Sequence, residues 1–193
     1  MRTHLIILFS AFAFLAGCAT EVEVPSYADI TFKATPPIPL KVARVSSEIT
    51  YSEPLTAPHV GHEFPVKLAP TAARWAQDRI ETIAPTGSAV LTVLEASAVE
   101  TQLEKSTGVK GLVTDDQAQL YTVKLVVKLA AEDPASLANA EATVSVSRSR
   151  SVAEGATFNE RERVWYLLTE EVMSDYNKEM EKAVANHMTL FQP

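Results

Sequence analysis

Few side chains in this 193-residue chain have the chemistry to act on another molecule, and they fall into three groups. One is the single cysteine, Cys18, which closes the stretch Leu15, Ala16, Gly17, Cys18. A second is the loop PHVGHEFP, Pro58 to Pro65, in which His59, His62 and Glu63 are all competent metal ligands. The third is a set of arginines, Arg148 and Arg150 in SVSRSRSV with Arg161 and Arg163 shortly after. Guanidinium groups in such numbers suit a phosphate or a partner's carboxylates.

Spacing argues against catalysis. Zinc needs three or four ligands in tetrahedral array, and the helical protease motif separates its two histidines by four. His59 and His62 are three apart, and proline and glycine break any helix around them. A loop whose histidines pack or hydrogen-bond beside Trp75 is the expectation, with neither metal nor cofactor. A serine triad would have to draw on His59, His62 or His187, yet no G-x-S-x-G occurs, and TGSA at 86–89 reads as a turn before a strand. No catalytic residue is expected, and the one enzyme reading kept open centres on His59 and His62. For the arginines, Glu154, Glu160 and Glu162 lie close enough in sequence to pair with them, so internal ion pairs compete with an anion or partner site.

Upstream of Cys18, Leu5 to Ala16 carries no charge and follows a short head with Arg2 and His4. A membrane-spanning helix needs about 20 apolar residues, whereas the apolar core of a secretory signal needs about 7 to 15. Residues 1–17 therefore read as a signal peptide. Leu15 to Cys18 resembles the lipobox of bacterial lipoproteins. That resemblance implies a diacylglycerol on the Cys18 sulfur, cleavage before Cys18 and acylation of the new amino terminus. Because Ala19 stands where an aspartate often retains such proteins in the inner membrane, it also implies the periplasmic face of the outer membrane. The alternative is an ordinary signal peptide cut near Ala16 or Ala19, leaving Cys18 as a stray thiol or removing it. Several buried acyl chains, at roughly 0.8 kcal/mol per methylene, make an anchor that is effectively permanent. No second cysteine exists, so the chain can form no intramolecular disulfide and its core must stabilise it.

Removing residues 1–17 deletes Arg2 and no acid, taking the formal charge from −7 to −8. Such a surface repels nucleic acid as a whole, and none is expected as a partner. What remains is one domain of common size plus a tether. Pro25, Pro36, Pro37 and Pro39 mark residues 18–40 as that tether, an extended segment near polyproline II. Residues 41–193 form the domain.

Periodicity supplies its elements. Ala43, Val45, Ile49 and Tyr51 recur at period two, predicting a strand over 41–51, and a proline-rich loop follows over 52–69. Ala72, Trp75, Ala76, Ile80 and Ile83 recur at helical steps after Pro70, predicting a helix over 70–83 closed by Pro85 and Gly87. Ala89 to Val99 reads as a central strand. Tyr121, Val123, Leu125, Val127 and Leu129 define the inner face of a strand over 120–131, and Ala140, Ala142, Val144 and Val146 that of the next. Thr157 and Glu160 make a capping box for a terminal helix of about 30 residues, roughly 45 Å long. Its apolar stripe runs through Trp165, Leu168, Val172, Tyr176, Met180 and Val184. Trp75 and Trp165 fall on the predicted buried faces, so they read as core rather than as a ligand box. The fold class expected is α+β: a single domain with about four strands, mostly antiparallel, in the order strand, helix, three strands, helix.

In lipobox, length and element order the chain resembles small periplasmic α/β lipoproteins. Among these are the outer-membrane plug lipoprotein of lipopolysaccharide assembly and the auxiliary lipoproteins of ABC-type transport systems. It is also similar to Gram-negative lipoproteins of unassigned role with Pro58-His59-Val60 followed by Phe64-Pro65, an Arg74-Trp75-Ala76 helix and a terminal helix bearing Trp165-Tyr166. These likenesses imply a non-enzymatic protein that binds or supports an envelope partner. The alternative is a carrier of a small ligand or lipid, using the uncovered sheet face or a gap beneath the terminal helix. Between the two central strands, Ser106 to Gln119 is too long for a tight hairpin. Val109, Leu112 and Val113 then stand on what should be an exposed tip, suited to a partner or a membrane. The competing expectation is a loop folded back over the core. Asp115 and Asp116 lack the further acids of a calcium loop and could equally cap the following segment.

Overall fold

The computed structural model describes residues 25–103 and 117–193. Two short strands and four longer ones combine with two helices in the α+β arrangement expected. They are β1 (Ile38–Leu40), β2 (Arg44–Ile49), α1 (Leu68–Arg79), β3 (Ile80–Thr82), β4 (Ser88–Gln102), β5 (Gln117–Asp133), β6 (Ala138–Ala153) and α2 (Phe158–His187). The main sheet runs in the order β2-β4-β5-β6, with β2 parallel to β4 and the other neighbours antiparallel. A parallel pair needs a crossover, and α1 supplies it between β2 and β4.

Alternation along β5 and β6 fixes which face of the sheet is covered. Tyr121, Val123, Leu125, Val127 and Leu129 are wholly buried, with Ala142, Val144 and Val146 beside them, while Lys124, Thr143 and Ser145 point to solvent. In β4 the register shifts between Val93 and Glu95, so the buried set passes from Ala89, Leu91 and Val93 to Ala96 and Ala98. Leu94 is the extra residue of that bulge and stands half-exposed. This explains why the sequence pattern of β4 looks apolar on both sides.

Helix α2 covers the buried face. Its stripe of Trp165, Leu168, Val172, Tyr176, Met180 and Val184 is buried, and Arg150 and Arg148 of β6 meet Glu171 and Asp175 in turn, so the helix runs antiparallel to β6. Phe64 stacks on Trp165 at 5.2 Å between ring centroids, and Tyr121 meets the same indole edge-on at 5.5 Å. The capping box is formed as the sequence predicts. Thr157 Oγ1 accepts from the Glu160 amide, and Glu160 Oε2 accepts from the Thr157 amide at 2.7 Å.

Two boundaries differ from expectation. Helix α1 ends at Arg79 rather than 83, because Ile80 turns extended (φ −91°, ψ 121°) and leads the strand β3. Both conformations bury Ile80, so its apolar side chain alone did not reveal the switch. The second concerns residues 18–40, expected as a free tether. From Pro25 onward this segment is part of the fold. Ile38–Leu40 pair in parallel with Ile80–Thr82, Phe32 and Leu40 are core residues, and the Phe32 amide donates to Asp78 Oδ2 at 3.0 Å. Prolines that exclude a central strand still permit a short edge strand.

Candidate functional site

Residues 25–40 form a strap over both helices. Tyr27 lies against Tyr166 of α2 with ring centroids 4.9 Å apart, and Asp29 Oδ2 is 3.4 Å from Arg74 Nη1 of α1. Further on, Arg79 is almost wholly buried and donates both to the Pro36 carbonyl and, at 2.5 Å, to Glu181 Oε2 of α2. One guanidinium thus ties strap, α1 and α2 together. Its planar fork suits two acceptors on different segments, which a lysine would not match. At the α2 N-terminal end, Pro25 and Tyr27 border an open groove of about 500 Å³ with Asn159, Glu160, Arg163, Tyr166 and Leu167.

The arginine group is largely committed within the fold. Arg148 Nε lies 2.5 Å from Asp175 Oδ2, and Arg150 bonds Glu171 Oε1. The carboxylate of Asp175 raises the Arg148 pKa further by hydrogen bonding and charge. Their partners are Asp175 and Glu171, further along α2, rather than the expected Glu154, Glu160 or Glu162. Arg161 points toward Tyr121, whose phenol is pushed up to about 12, first by burial and then by Glu100. Arg163 lies exposed beside the strap groove. The four arginines are therefore split between two ion pairs, one aromatic contact and one surface position.

In the histidine loop the fold assembles residues that sequence spacing did not group. The Val60 amide donates to the Ala98 carbonyl at 2.9 Å and the Glu100 amide to Pro58, so residues 58–60 extend along β4 beyond the end of β2. Phe64 anchors the loop from below. Beside it the Glu53 carboxylate sits so close to Gly61 that a Cβ there would collide with it. Burial raises the Glu53 pKa against the opposing pull of His62, the Gly61 amide, Lys67 and His59. Lys67 Nζ donates to the Phe64 carbonyl at 2.8 Å and to that of His62. Tyr51 Oη, Glu53 Oε1, His59 Nδ1 and His62 Nδ1 are buried atoms without a hydrogen-bond partner among the described residues. His62 and Glu63 approach to 3.7 Å. Among the described residues, no three His, Cys, Asp or Glu side chains are grouped to hold a metal ion. Tyr51, Glu53 and Lys67 carry no motif, and the path of the loop brings them together: Lys67 reaches back to carbonyls three and five residues earlier, and Glu53 meets Gly61.

Three expected contact residues, Val109, Leu112 and Val113, lie outside the described residues, as does Cys18. Among the described residues no helix is long and apolar enough to cross a membrane.

No family model matches this chain, and no curated protein matches it. Among solved structures it is similar to protein XCC0632 from Xanthomonas campestris, labelled DUF330. The identity is 11% and the TM-score 0.35, over 81% of this chain and 90% of that one. A likeness at that level carries no argument about function or fold.

Proposed function

We propose that this protein is a lipid-anchored envelope protein of the outer membrane, facing the periplasm, whose α+β domain binds or supports a partner without catalysing a reaction. The observation that carries this reading is the Leu15 to Cys18 lipobox, set six residues before a strap that the domain binds from Pro25 onward. An anchor joined to a rigid body by a short leash suits a support that must stay near the membrane. Arg148 and Arg150 support the same reading, since they spend their charge on α2 rather than holding it for a substrate.

The uncovered face of the main sheet offers an open contact area. It presents Glu48, Glu95, Lys124, Thr143 and Ser145, with Lys124 and Glu95 paired at 2.7 Å. A polar face that carries charged side chains suits a wet, reversible protein contact. The carrier reading has less behind it, because Trp165, Leu168, Val172, Tyr176 and Met180 fill the space beneath α2.

Fractionation tests the anchor. Cys18→Ala is expected to move the protein from the membrane to the soluble fraction. Photo-crosslinkers at Thr143 and Ser145 are expected to yield one discrete envelope adduct. A Cys18→Ala chain that stays in the membrane, or a sheet face that crosslinks to nothing, overturns the corresponding half of the reading.

A further inference from the structure

The strap fixes where the anchor enters the domain. Pro25 and Tyr27 sit beside Asn159, Arg163 and Tyr166, near the N-terminus of α2, and Pro36 has reached Arg79 and Glu181, near its other end. The chain therefore joins the body at the α2 N-terminal end and runs along the helix away from it. From Cys18 to Pro25 is seven residue steps, which span at most about 25 Å fully extended. A tether running freely to residue 40 would have allowed about three times that reach.

The same end of the molecule collects the finish of β6 at Ala153 and the start of β5 at Gln117, which are paired. Phe158 stands there 55% exposed, in an edge-to-face pair with Trp165 whose ring centroids are 6.1 Å apart, and Arg163 is exposed further along α2. A half-exposed aromatic ring suits the headgroup layer of a bilayer, and Arg163 at the same end adds a cation, while Glu160 in the same groove is held by the capping box. The opposite end holds the β5–β6 turn, residues 134–137, and the 3₁₀ turn Thr189–Phe191. Along β6 the two ends are about 50 Å apart.

From this geometry we propose that the domain is held end-on, with the N-terminal end of α2, Phe158 and Arg163 against the phospholipid surface and the β5–β6 turn directed away. This rests on the lipid anchor at Cys18. The leash keeps the near end within about 25 Å of the bilayer, and the bound strap sets the pivot at Pro25, at the α2 N-terminal end, rather than at residue 40.

Acylation of Cys18 blocks its sulfur, so a cysteine introduced elsewhere becomes the sole free thiol. The full-length protein, purified from membranes, is reconstituted in vesicles of phosphatidylethanolamine and phosphatidylglycerol that contain nitroxide-headgroup lipid. One fluorophore is placed through Asn159→Cys or through Ala135→Cys. The Asn159 label is expected to lose most of its emission and the Ala135 label little. Inserting about a dozen Gly and Ser residues after Thr20 adds flexible reach and is expected to erase the difference. Mass spectrometry of the amino-terminal peptide separates two failures. Equal quenching on a chain that carries acyl groups at Cys18 overturns the end-on arrangement alone. A chain without acyl groups overturns the anchor, and the arrangement with it.

Discussion

Glu53 shows how a residue without a motif becomes the most constrained acid of its neighbourhood. Its carboxyl pKa is raised chiefly by burial, against the pull of His62, Gly61, Lys67 and His59. A folded value above the unfolded one means that the protonated form is the better fit. The stability linked to this group is full below the unfolded carboxylate value of about 4.3 and is lost as pH rises through the folded value. At neutral pH the ionised side chain is a liability, so Glu53→Gln should stabilise the protein slightly, by under about 1 kcal/mol. Thermal melts at pH 7 and pH 4 check this, since the gain should shrink at the lower pH. Of the site residues, His59, His62, Glu63 and the arginines were legible as polar groups in unusual density. Their partners were not, because Asp175 and Glu171 lie more than twenty positions from Arg148 and Arg150 in sequence.

Among the elements, α2 was the most legible because its signals are local. A capping box spans four residues, and the apolar stripe from Trp165 to Val184 continues at helical spacing for about five turns. Thr157→Ala should cost about 1 kcal/mol in chemical denaturation at neutral pH. The Glu160 carboxyl is held below the usual range, first by the Thr157 amide and then by its hydroxyl. Its contribution is therefore present above about pH 4.3 and fades as pH falls through the lower folded value, so Glu160→Ala and the wild type should converge in acid. The end of α1 was misread for the converse reason. Ile80 and Ile83 continue a helical stripe as readily as they start a strand, and only pairing with Ile38–Leu40 selects the strand. The bulge at Leu94 is a similar case. One extra residue converts an irregular apolar run into two ordinary alternating halves.

For the whole molecule, the strap decides how anchor and body are coupled, and Arg79 is its main fastening. Arg79→Ala removes a buried guanidinium, the contact to the Pro36 carbonyl and the link to Glu181, and should cost about 2–4 kcal/mol in urea denaturation. Limited proteolysis should then cut residues 25–37 faster than in the wild type. Glu181→Gln keeps an acceptor for the buried guanidinium but removes its counter-charge, and should cost less than Arg79→Ala. Sequence by itself settled the fold class, the inner faces of β5 and β6, the cap and stripe of α2, and the expectation of a lipid anchor. All of these follow from periodicity or from neighbouring residues. Only the tertiary structure decided that the proline-rich stretch from Pro25 is bound to the domain, that Arg148 and Arg150 pair with Asp175 and Glu171 of α2, and that residues 58–60 lie along β4. Prolines specify extended backbone, but whether an extended segment hangs free or lies along a body depends on surfaces that distant parts of the chain build.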